Sequence, residues 1–115
     1  MNIETIREYC LSKNGVSEGF PFDETTLVFK VMGKMFLLAN LDGELSISVK
    51  CDPEKAIEFR EIFPSVVPGY HMNKRHWNTV FINGTISESI ILSFIDHSYD
   101  LIIGSLPKNQ QKELT

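Results

Sequence analysis

Between Glu44 and Lys50 the side chains alternate without a break. Leu45, Ile47 and Val49 fall on one side, and Ser46, Ser48 and Lys50 on the other. A period of two is the period of a strand, and one apolar side opposed to one polar side describes a sheet that a second layer covers on one face only. A chain built around this segment is not all-helical, and it must supply something to bury the inward side chains.

The neighbouring sequence extends the sheet. Thr26 to Met32 is rich in β-branched and aromatic residues, with Leu27, Phe29 and Val31 sharing a face. Gly33-Lys34 fits a two-residue hairpin turn with glycine first, Met35 to Asn40 reads as the return strand, and Asp42-Gly43 marks a second hairpin. Asn78 to Asn83 reads as a further short strand. Three segments have helical spacing. Asn2 is placed to cap a helix carrying Ile3, Ile6 and Cys10, which Gly15 stops. Asp52-Pro53-Glu54 is a strong helix start, and that helix ends before Pro64. Thr85-Ile86-Ser87-Glu88 matches a capping box ahead of a helix bearing Ile90, Ile91, Phe94, Ile95, Leu101 and Ile102, fading near Gly104. Ser17 to Asp23 looks like turn, and Pro64 to Trp77 has no clear period. The order is α-β-β-β-α-loop-β-α: an α+β two-layer sandwich, with an antiparallel meander covered by helices on one face. The expected organisation is a single domain over 1–107 and a polar tail over 108–115.

With 115 residues, 43 % hydrophobic and 23 % charged, the chain has the makings of one globular domain. The net charge of −4 excludes a broadly basic nucleic-acid binder and leaves only a local basic patch. Cys10 and Cys51 lie in no ligand motif, so a reduced, cytoplasmic chain is expected. The N-terminus lacks a basic-then-apolar signal, and no apolar run reaches the ~18 residues of a membrane span.

One segment carries chemical information. Gly69-Tyr70-His71-Met72-Asn73-Lys74-Arg75-His76-Trp77-Asn78 holds the only tryptophan, two of the three histidines and an adjacent Lys-Arg pair. Cations contact phosphates and flat rings stack on bases, so a loop with both suits nucleic acid. The same residues also suit a plain structural role, with Trp77 capping the core and the charges solvated.

This segment and the order of elements resemble the MmcQ/YjbR family of small bacterial proteins. The resemblance also rests on Phe20-Pro21-Phe22-Asp23, on Phe29 to Phe36 across the first hairpin, on Lys50 and Pro53, on Pro68 to Val80, and on Ser98-Tyr99-Asp100-Leu101 and Ser105-Leu106-Pro107-Lys108. It implies a fold similar to the bacterial frataxin type and a DNA-binding role. That role would fall on Lys34, Lys74, Arg75, His76, Trp77 and Lys108. The tail from Pro107 to Lys112 is less basic than the resemblance leads one to expect, which implies weak, salt-sensitive binding.

Other chemistries find little footing. His71, His76 and His97 lack metal-ligand spacing, and Glu4, Glu8, Glu18, Asp23 and Glu24 read as solvated faces, so no metal site is expected. Asp96-His97-Ser98 are consecutive on a helix and point in different directions, which rules out a triad among them. No cofactor is expected. The sequence therefore points to a non-enzymatic binding module with DNA as its partner. The alternative is an adaptor for another protein or a small ligand, with Trp77, Tyr70 and Met72 anchoring a groove.

Overall fold

The computed structural model describes residues 1–114. Its order is α1 (Ile3–Leu11), β1 (Val16–Gly19), β2 (Thr26–Val31), β3 (Lys34–Asn40), β4 (Ser46–Lys50), α2 (Pro53–Ile62), β5 (Val66–Pro68), β6 (Trp77–Phe81), α3 (Glu88–Gly104) and α4 (Lys108–Glu113). The six strands form one antiparallel sheet in the order β1-β2-β3-β4-β6-β5. The α+β sandwich is as expected, with three additions: β1 in the stretch read as turn, β5 in the aperiodic stretch, and α4 in the polar tail.

The apolar half of each strand builds the core. Leu27, Ala39, Ile47 and Val80 pair in one row across four strands, and Val66 extends it from β5. None is more than 6 % exposed. Residues Ile91, Phe94, Ile95 and Ile102 of α3 share the same core cluster. Burying each such larger aliphatic or aromatic side chain is worth about 1.5–3 kcal/mol. Ser98 ties the layers together: its hydroxyl donates to the Phe36 carbonyl at 2.5 Å and accepts from the Lys50 amide at 2.9 Å. Phe36 needs this partner because the β2–β3 register slips by one residue there. The bulge turns both Phe36 and Leu37 into the core, where the Phe36 ring meets Tyr99 edge-on at 5.4 Å.

Two turns differ from expectation. The first hairpin turns on Met32-Gly33, with φ of 50° and 83°, because Val31 pairs with Lys34. Both central residues are left-handed, the geometry whose twist matches a hairpin, so Lys34 opens β3 instead of sitting in the turn. α3 starts two residues later than the capping-box reading, with Ser87 at its N-cap and no side-chain cap bond. Thr85 instead donates to Asn83 Oδ1, and the apolar Ile86 tucks into the core. Asn2 and Asp52 cap α1 and α2 as expected.

A candidate ligand cavity on the open face of the sheet

All the helix-to-sheet packing lies behind one face. On the other face the strands present Thr26, Met35, Leu38, Asn40, Ser46, Ser48, Val67, Thr79 and Phe81, which floor a cavity of about 670 Å³. The alternation of β4 correctly sends Ser46 and Ser48 away from the helices. They are nearly covered, however: they are 6 % and 9 % exposed, and Thr79 beside them is 3 % exposed. The walls are two loops, with Phe22 and Asp23 on the β1–β2 side and Tyr70, His71 and Met72 on the β5–β6 side.

Both loops are held in shape by their own polar groups. Asp23 Oδ1 accepts from the Thr25 and Thr26 amides at 2.9 and 2.7 Å, and Oδ2 accepts from the Thr26 hydroxyl at 3.1 Å. These donors, led by the Thr25 amide, hold its carboxyl below the usual range. In the other loop, Asn73 Oδ1 accepts from the Arg75 and His76 amides. Lys74 Nζ folds back to donate to the Gly69 carbonyl at 2.9 Å. From α2, Arg60 donates to the Lys74 carbonyl and, at 2.7 Å, to Asn78 Oδ1. His71 has φ of 59°, a left-handed conformation that costs a non-glycine residue about 1–2 kcal/mol. Strain of this kind gathers at functional sites. Its ring lies 4.1 Å from that of Tyr70, centroid to centroid.

The floor carries a polar relay. The Tyr70 amide donates to Thr79 Oγ1 at 2.9 Å, and Thr79 Oγ1 shares a 2.8 Å hydrogen bond with Ser48 Oγ. At the lips, Phe22 and Tyr70 are 63 % and 71 % exposed.

The residues that the sequence singled out are spread around this cavity. Trp77 opens β6 opposite Lys50 and is only 9 % exposed, so its ring offers little surface for a base to stack on. Lys74 and Arg75 are exposed on the loop, His76 is half-buried, and the His76 carbonyl accepts from the Cys51 amide. Lys34 lies at the same end of the sheet, which the registers of β3, β4 and β6 fix, while Lys108 opens α4 after α3. Of the expected groove anchors, Tyr70 and Met72 line the cavity.

Sequence reasoning missed Met35, Leu38, Ser46, Ser48, Thr79 and Phe81 as site residues. The one available signal was the run of small hydroxyl residues on the outer side of β4. It also passed over Lys30, which pairs with the cavity-lining Met35 and shares the open face with Lys50. Ion pairs join Arg7 to Glu18 and Lys13 to Asp96, and among the described residues neither Lys30 nor Lys50 has a carboxylate partner.

Elsewhere the titratable groups are structural. Cys10 and Cys51 are free and buried, and burial pushes their thiols up to about 12 and about 11. Among the described residues no three His, Cys, Asp or Glu side chains gather as metal ligands. No described helix is long and apolar enough to cross a membrane.

Comparison with known proteins finds the same architecture elsewhere. The YjbR family model matches residues 11–101. The uncharacterised protein YbdF of Escherichia coli O157:H7 is 38 % identical over 112 residues, spanning 96 % of this chain and 92 % of its own length. The uncharacterised protein YjbR of Escherichia coli strain K12 is 30 % identical over 115 residues, spanning 99 % and 98 %. Among solved structures, a Deinococcus radiodurans protein superimposes with a TM-score of 0.92 at 38 % identity, covering 98 % of this chain and 87 % of that one. A Pseudomonas syringae protein superimposes at 0.78 with 28 % identity, covering 88 % and 98 %.

Proposed function

The chain belongs to the YjbR family, and from that premise we propose that it is a non-enzymatic binding module whose ligand is a small molecule held in the open-face cavity. The observation that carries this reading is the cavity itself. Its volume of about 670 Å³ falls within the roughly 300–1,000 Å³ typical of small-molecule sites. Its walls mix apolar side chains with a few fixed polar groups, the usual composition of such sites. The two lip aromatics are left largely in water until something covers them.

A binding role fits the chemistry better than catalysis. The partner of Ser48 Oγ is the Thr79 hydroxyl, not an imidazole or carboxylate able to take its proton. The Asp23 carboxylate is occupied in shaping its own loop.

The test is a thermal-shift screen of small aromatic and aliphatic compounds against the native chain and a Leu38→Trp variant. Leu38 projects into the cavity from β3, so tryptophan fills it from an open face with room for the ring. Compounds that raise the Tm of the native chain and leave that of Leu38→Trp unchanged support the proposal. Equal shifts in both proteins, or none in either, contradict it.

One observation favours a second reading, a nucleic-acid edge. Lys30, Lys34, Lys50 and the Lys74–Arg75 loop share one end of the sheet, and none of them is paired with a carboxylate among the described residues. Three or four phosphate contacts would give a salt slope of roughly −3 for DNA. Charge reversal of Lys34 and Arg75, whose side chains hold no part of the loop, would then abolish binding with the fold intact. Undiminished binding by that double variant removes this reading.

A further inference from the structure

Charge along the open face is segregated by the sequence. Residues 20–26, 40–46 and 81–87 contain four carboxylates, Asp23, Glu24, Asp42 and Glu44, and no lysine or arginine. The strand registers bring these three segments to one end of the sheet, because Thr26 pairs with Asn40, Asn40 with Ser46 and Ser46 with Phe81. Lys30 and Lys50 share the face but stand four residues along their strands from Thr26 and Ser46. That separation is about 13 Å, beyond the screening length of about 10 Å at 0.1 M salt. Lys74 Nζ is held by the Gly69 carbonyl beyond β6, which lies three strand spacings or about 14 Å across the sheet from β2.

The cavity opens onto this acidic end. Among its lining residues the only Asp, Glu, Lys or Arg is Asp23, and its one histidine, His71, is on the opposite wall. The hydrogen bonds that lower the Asp23 pKa keep its carboxylate ionised. A carboxylate offers about four acceptor positions. The Thr25 and Thr26 amides occupy Oδ1, with the Thr25 hydroxyl more distant at 3.4 Å, whereas among the described residues Oδ2 accepts from the Thr26 hydroxyl alone. Oδ2 thus retains a position for a donor on a ligand. Ser46 lies in the same end row, 6 % exposed, and its hydroxyl bonds no described protein group. Phe22 adjoins Asp23 on the lip, Phe81 closes the row on the floor, and Tyr70 faces them from the other loop. The face of an aromatic ring attracts a cation, and a ring stacks well between rings.

Resting on the small-molecule reading above, we propose that the ligand is an organic ammonium ion with an aromatic body, its N–H donating to Asp23 Oδ2 and its ring lying between Phe22 and Tyr70. The experiment compares three probes of one shape by amide chemical-shift titration: 2-naphthylmethylammonium, 2-naphthylmethanol and 2-naphthoate. The ammonium is expected to bind about fivefold more tightly than the alcohol, the upper end for an ion pair open to solvent, and the acid more weakly than either. Asp23→Asn keeps an oxygen to accept from the Thr25 and Thr26 amides while removing the charge. In that variant the preference for the ammonium over the alcohol should fall to about twofold or less, with the affinity for the alcohol unchanged. A preference that survives in Asp23→Asn overturns Asp23 as the partner and assigns the effect to the net charge of the chain. Equal affinity of the native chain for ammonium and alcohol, or a preference for the acid, overturns the ammonium assignment while leaving the cavity as a binding site. Absence of cavity shifts with all three overturns both.

Discussion

Gly69 is where one atom decides the shape of the cavity wall. A Cβ added there would lie 2.7 Å from Trp77 Cβ and 2.9 Å from the Trp77 carbonyl oxygen, which accepts from the Gly69 amide. The crowding is against the backbone and Cβ of a nearly buried residue, none of which can swing aside. Gly69→Ala should therefore cost about 1–3 kcal/mol, the range for an overpacked site. Urea unfolding would read this as a lower midpoint with an unchanged slope. A variant as stable as the native chain would show that β5 and β6 are not in close register here. His71 is the complementary case, a strained residue kept where the loop is over-determined by its neighbours.

The β5–β6 loop keeps its form because α2 reaches across to it. Arg60 bonds both the Lys74 carbonyl and the Asn78 side chain, and Asn78 is 1 % exposed with its amide donating to the Ala56 carbonyl. Arg60→Met keeps the stem but orphans Asn78 Oδ1, which should cost about 1–3 kcal/mol. It should also free the loop, so that amide hydrogen exchange over residues 70–76 speeds up while that of β3 and β4 does not. Exchange that changes equally everywhere would assign Arg60 to global stability alone. The elements differ in how readable they were. β2, β3 and β4 are long enough to show their period, and the caps at Asn2 and Asp52 are side-chain chemistry written locally. β1 and β5, at four and three residues, are strands only because β2 and β6 pair with them. The cavity was hidden for a related reason. Alternation reveals that Ser46 and Ser48 face away from the core, but not that loops distant in sequence fold over them.

At the scale of the whole molecule, His97 makes the fold sensitive to mild acid. Its Nε2 accepts from the Asp52 amide at 3.2 Å, which requires the neutral ring. Burial lowers its pKa, with Lys55 adding to that and Asp52 and Asp100 opposing. The unfolded chain thus binds a proton more readily than the folded one. The stabilising contribution is complete above the unfolded value of about 6.5 and is lost as pH falls through the lower folded value. A His97→Gln variant retains an acceptor without titrating there. Its Tm should fall less than that of the native chain between pH 7.5 and 5.5, and parallel falls would place the acid sensitivity elsewhere. Charge and shape at this largest scale also frame the functional question. An acidic chain, with net charge −4, carries its unpaired lysines beside a concave, part-polar face. The most direct measurement is an amide shift map of the labelled protein with the small compounds that raise its Tm in the thermal-shift screen and, separately, with single-stranded DNA in the same low-salt buffer. The cavity account predicts saturable shifts at Leu38, Ser48, Val67 and Thr79 with those compounds, and none there with DNA. Saturable DNA shifts at Lys34, Lys74 and Arg75, with the cavity amides silent to every compound, would contradict it.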